Sequence, residues 1–152
     1  MSPAARLLVR FAPPVVWMAV IAGLSSHYFG GDETGPFFVA VVGRLLPWAG
    51  PATLAALHVV ARKLGHVVEF AILARLWLRT LAPGRPWARA ALLAVVLAAL
   101  YAVVDEARQG LAPNRSPSAW DVLIDTAGAV LAVVGRYQGG ARDRGPGARR
   151  PG

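Results

Sequence analysis

Apolar residues fall in long runs along this chain, separated by short polar joints. The first run, Leu7 to Leu24 (LLVRFAPPVVWMAVIAGL), predicts a helix that begins near Pro13 and Pro14, because proline in a first turn forfeits no intrahelical bond. A basic start before an apolar run also fits a secretory leader, but the cleavage pattern is poor and three further runs follow, so an uncleaved helix is expected. From Gly30 to Ala52 a Gly- and Pro-rich connector holds an apolar segment between Pro36 and Pro47. A hydrocarbon core needs about 20 residues, so this segment predicts an interfacial or half-buried helix. Later runs predict helices over Ala52 to Leu81, Trp87 to Leu111 and Ser118 to Tyr137. The crossing segments are expected at about 13–28, 57–81, 87–109 and 119–137.

Helical periodicity sorts the polar residues onto particular faces. Arg62, His66 and Glu69 share one face, with Lys63 beside His66. Ala91, Ala94, Ala98, Ala102, Asp105 and Gln109 line one side of the third predicted span. Asp121, Asp125, Gly128, Ala132 and Gly135 form a matching stripe on the fourth. Small residues let helix backbones approach closely in lipid, and ionisable groups should turn from lipid toward protein. Ser118, three residues before Asp121, is a candidate N-cap. Arg6, Arg10, Arg79, Arg85, Arg89 and the arginines from Arg136 onward fall on one side of a four-span arrangement. The positive-inside rule then puts both termini in the cytoplasm. The expected fold is all-α: a polytopic membrane bundle of four transmembrane helices in one domain, residues 1–137, followed by a disordered basic tail, 138–152.

Composition agrees with a bilayer as solvent. Of 152 residues 56% are hydrophobic and 16% charged, with a mean hydropathy of +0.49; soluble domains run near 45–50% and about 25%. With no cysteine, disulfides, thiolate metal sites and catalytic thiols are excluded. The net charge of +8 sits at the ends of apolar runs, without a base-stacking or basic-helix motif, so no nucleic-acid partner is expected. Membrane lipids are the expected partners, a lipid-linked envelope precursor among them.

The four-span topology brings polar residues from three segments to one depth near the outer leaflet. His66, Glu69, Asp105, Glu106 and Asp125 are the candidates for acid–base chemistry; Lys63, Gln109, Arg115 and Asp121 are the candidates for binding. An internal charge network is the competing reading, with Lys63 and Arg62 neutralising Asp105 and Asp125, since buried charges must be paired. His66 and Glu69 form a His-x-x-Glu pair, but only one histidine is well placed, so neither a metal nor a cofactor is expected. Arg115 suits either a carboxylate cap or a phosphate contact assisted by Lys63.

KLGHVVEF (Lys63 to Phe70), followed by YAVVDEARQGLAPNRSPSAWDVLIDTAGA (Tyr101 to Ala129), resembles the VanZ-like family of bacterial membrane proteins. Lys63, His66, Asp105, Glu106, Gln109, Pro113, Arg115, Ser118, Asp121 and Gly128 match the family pattern, and PVVWMAVIAGLSS looks like its first helix. Phe70 stands where tyrosine is usual, Asn114 where glycine is, Asp125 where asparagine is frequent, and Arg62 at a position often acidic. The resemblance implies a multi-pass protein of the bacterial cytoplasmic membrane with a cell-envelope role. The family's namesake ties it to low-level teicoplanin resistance, with no change to the peptidoglycan precursor ending; no reaction is implied. The expected function is an outer-leaflet polar site engaging an anionic lipid or lipid-linked head group. Two alternatives are a membrane enzyme hydrolysing or transferring a lipid head group, and a non-catalytic assembly or antibiotic-shielding factor working through the connector.

Overall fold

Ser2 opens the first helix, α1 (Pro3–Leu24), in the computed structural model, which describes residues 2–26, 31–111 and 117–142. Its hydroxyl accepts from the Ala5 backbone N–H at 3.2 Å, and Pro3 occupies the start of the helix. The helix thus begins well before the expected start, and Pro13 and Pro14 lie inside it. A proline removes the N–H that would bond the carbonyl four residues back, and for Pro14 that carbonyl is Arg10's. The Thr80 hydroxyl donates to it at 3.1 Å, while Arg10 Nε donates to the Thr80 carbonyl at 2.7 Å. A tertiary bond replaces the missing helical one.

The connector forms the expected short apolar helix, α2 (Gly31–Leu45), with Pro36 inside it. The longer α3 (Pro51–Leu81), α4 (Trp87–Gln109) and α5 (Ala119–Arg142) follow, with no strand among the described residues. α5 continues past Tyr137, where its apolar pattern ends. Arg85 N–H donates to the Ala82 carbonyl at 3.1 Å across Pro83–Gly84, and Gly84 has φ +77°, a type II turn that turns α3 back into α4.

Side-chain contacts set the directions of the remaining helices. Arg10 meets Thr80, and Trp17 Nε1 donates to the Glu69 carbonyl at 2.9 Å, so α1 and α3 are antiparallel. Trp87 and Tyr137 stack at 4.8 Å between centroids, which returns the end of α5 to the start of α4. Arg6, Arg10, Arg79, Arg85, Arg89 and Arg136 therefore gather at one end of the bundle. Asp105, Glu106 and Asp121 gather at the other.

The alanine stripe of α4 is buried: Ala91, Ala94, Ala98 and Ala102 pack with Phe70 and Leu73 of α3 and Ala129 and Val133 of α5. Gly128 marks the closest approach, since a Cβ there would lie 2.5 Å from the Val67 carbonyl oxygen. Outward, large apolar side chains dominate: Leu8, Val16, Leu92, Leu100 and Leu131 are each more than half exposed. Among the described residues α1 and α4 are long and apolar enough to cross a membrane. α3 and α5 are as long, but charged residues interrupt their apolar runs.

Gly128→Ala should lower the stability of the detergent-solubilised protein by about 1–3 kcal/mol, because α3 and α5 must part to admit the methyl. Gly135→Ala, with nothing within 4 Å of its Cβ position, should leave the unfolding temperature unchanged or raised. Thermal unfolding of the two variants side by side checks this.

Candidate functional site

Three helices supply the polar side chains. Near the end of α4, Asp105 is only 2% exposed. Arg108 and Gln109, three and four residues on, share its helix face. Arg108 donates to its Oδ1 at 2.8 Å and Gln109 Nε2 to its Oδ2 at 2.5 Å. The next residue, Glu106, looks across to the following helix, where the Ser118 backbone N–H donates to its Oε1 at 2.7 Å. Ser118 in turn caps α5, its hydroxyl accepting from the Asp121 N–H at 3.4 Å. Glu106 and Ser118 thus tie the two ends of the α4–α5 connection together.

From α5, Asp121 forms an ion pair with Lys63 of α3. A turn deeper, Asp125 is 3% exposed and faces His66 of α3, its Oδ1 3.6 Å from Nδ1. Both of those atoms are buried, and neither has a hydrogen-bond partner within 3.5 Å. Glu69 and Asp105 are also near enough to His66 to act on it electrostatically. His66, Glu69, Asp105 and Asp125 therefore come together, although no three His, Cys, Asp or Glu side chains among the described residues are grouped to hold a metal.

These pairings differ from the network read along the chain. Lys63 takes Asp121 instead of Asp105 or Asp125, and Asp105 takes Arg108 from its own helix. Proximity decides it: an i,i+3 partner reaches a buried carboxylate without bridging two helices. Glu106 and Gln109 are engaged within the protein, and Arg115 lies outside the described residues. Arg108 belongs to the polar cluster at the join of the last two runs, and its i,i+3 spacing from Asp105 is the signal for their pairing. Phe70, at the position where the family pattern has tyrosine, is fully buried with its ring 6.2 Å from that of Tyr101, whose hydroxyl donates to the Met18 carbonyl at 2.5 Å.

Beside His66 lies a cavity of about 400 Å³, between the end of α1, α2 and the first half of α3. Ser25, His58, Arg62, His66 and Glu69 line it with polar groups; Phe37, Phe38, Val41 and Val42 line it with hydrocarbon. His58 is held by Thr34, 3.0 Å from Nε2, and by the Phe38 ring at 5.0 Å. Because His66 Nδ1 is buried toward Asp125, it is the rest of the imidazole that borders the cavity. A carboxylate behind an imidazole orients the ring and selects its tautomer. The arrangement can hold an amphiphile with its polar end near His66, and it can move a proton there.

Asp105→Ala strands Arg108 and Gln109 and should cost about 2–3 kcal/mol of stability. Asp121→Ala removes a half-exposed pair and should cost about 1 kcal/mol or less. Chemical unfolding of both variants in the same detergent tests the order, which reverses if Asp121 carries the structural load.

A model of the VanZ/LLP1 family matches residues 14–136, a stretch containing every residue of the site. No curated protein and no solved structure matches the chain.

Proposed function

Since the chain belongs to the VanZ/LLP1 family, we propose that it is a multi-pass protein of the bacterial cytoplasmic membrane whose outer-leaflet polar site engages an anionic lipid or lipid-linked head group. In this reading α1, α3, α4 and α5 are the spans and both termini are cytoplasmic. The apolar exterior of the bundle and the arginines collected at one end support that orientation. The cavity beside His66 then opens toward the outer leaflet.

One observation carries the ligand class: a single cavity joins hydrocarbon from Phe37, Phe38 and Val41 to a polar end where Arg62, His58 and His66 stand beside one carboxylate, Glu69. A phosphate-bearing head group fits the cationic and imidazole groups, and an acyl or prenyl chain fits the apolar wall. Lys63 and Asp121 serve this reading by tying α3 to α5, and Asp125 by orienting His66. A part in glycopeptide susceptibility belongs to the same proposal, through the family, and growth of a deletion strain on teicoplanin reads it directly.

A second reading, an enzyme hydrolysing or transferring the head group, is favoured by the His66–Asp125 pair, a buried carboxylate behind an imidazole that borders a substrate-sized cavity. Purified protein turning over an envelope-lipid extract, with activity lost in His66→Ala, distinguishes catalysis from binding.

His66→Ala should lower occupancy of the anionic-lipid site beside His66 about tenfold, with the unfolding temperature close to wild type, when a charge-assisted contact of about 1.4 kcal/mol is lost. Native mass spectrometry of the detergent-extracted protein measures it. Wild-type protein that carries no anionic lipid, or a variant that keeps all of it, refutes the reading.

A further inference from the structure

We propose that the opposite, arginine-rich end of the bundle holds a second binding site, for the phosphodiester head group of an anionic glycerophospholipid. A cavity of about 420 Å³ lies there between the first half of α1 and the last turns of α3. Arg6, Arg10 and Arg79 all line it, and no carboxylate does. The carboxylates of Asp105, Glu106, Asp121 and Asp125 are engaged elsewhere, and that of Glu69 faces the His66 cavity. Three guanidinium groups line one cavity with no carboxylate among them, so the site is complementary to an anion.

Arg10 is held in place for this task. Its Nε donates to the Thr80 carbonyl, and the Thr80 hydroxyl donates back to the Arg10 carbonyl that Pro14 leaves unpaired. The paired bonds fix the side chain at the cavity and leave the two terminal nitrogens of the guanidinium for a bidentate phosphate contact. Arg6, one helical turn earlier on α1, and Arg79, in the last turn of α3, approach from either side. Among the described residues neither forms an ion pair.

The remaining wall selects a lipid over a free anion. Val9, Pro13 and Leu76 line the same cavity and would receive the glycerol and upper acyl carbons, whereas inorganic phosphate has no use for them. Basic pockets between helices on the cytoplasmic side suit anionic lipid head groups, so on the membrane reading above the ligand comes from the inner leaflet. The site shares no residue with the His66 cavity.

The test uses the full chain in detergent, titrated with dimyristoyl phosphatidylglycerol, with phosphatidylcholine of the same acyl chains, or with inorganic phosphate. Binding is read by native mass spectrometry. The wild-type protein should prefer phosphatidylglycerol about tenfold, and His66→Ala should keep that preference, which separates this site from the first. Made in the His66→Ala background, Arg6→Gln combined with Arg79→Gln should bring the two lipids level with little change in unfolding temperature. Arg6→Gln alone, on the exposed first turns of α1, should give a smaller loss and decides the matter if the double variant folds poorly. Equal affinity for the two lipids in wild type, or a preference that survives loss of the arginines, overturns the proposal. Inorganic phosphate displacing the lipid at equal concentration overturns the lipid assignment. Because the measurement is made in detergent, it stands whichever way the helices are threaded through a bilayer.

Discussion

A carboxylate taken out of water must find its partners within the protein, and that constraint organises this bundle. Asp105, Glu106 and Asp125 are almost fully buried in a chain whose outer surface is mostly hydrocarbon. Asp105 is answered by its own helix and Glu106 by the backbone that opens α5, while Asp125 faces His66 of α3 at 3.6 Å. Sliding α5 by one residue along α3 would break the last two contacts and the Lys63–Asp121 pair together. The polar groups therefore set the register of helices whose apolar faces alone would tolerate several.

The same constraint acts at the other end through the backbone. Two prolines inside α1 leave carbonyls without helical donors, and Thr80 supplies one of the missing bonds while anchoring Arg10. Between these two polar ends lies a seam of alanines and Gly128 where backbones nearly touch. Away from that seam lie a cavity beside α2 and another beside the first half of α1. Both combine charged or polar groups with hydrocarbon. The two differ in character: imidazoles, a carboxylate and one guanidinium face the first, guanidinium groups alone supply the charge of the second.

Much of this was legible beforehand because it depends on period and spacing. The 3.6-residue repeat put Ala91, Ala94, Ala98, Ala102 and Asp105 on one face, and that face is buried. The Asp121, Asp125 and Gly128 stripe foretold the contact with α3, and the KLGHVVEF and YAVVDEARQG segments pointed to the family whose model spans residues 14–136. The apolar pattern implies a later start for α1 than the structure has, because proline inside a helix is unfavourable by local rules. Only a donor from a helix seventy residues away makes it tolerable. The pairings of Lys63 and Asp105 depart from the chain pattern for a related reason: helical spacing names the residues on a face but not which neighbour arrives opposite them.

The sequence by itself determined the all-helical class, the short helix in the connector, the apolar exterior, the family and the identity of the polar cluster, since each follows from composition or from periodicity along one helix. Tertiary structure alone decided that Asp121 takes Lys63, that Asp125 stands behind His66, that Glu106 reaches the start of α5, and that one cavity opens beside α2 and another beside the first half of α1. Those outcomes depend on the relative height and rotation of packed helices. Height and rotation are fixed by contacts between residues far apart in the chain, to which a local pattern carries no reference.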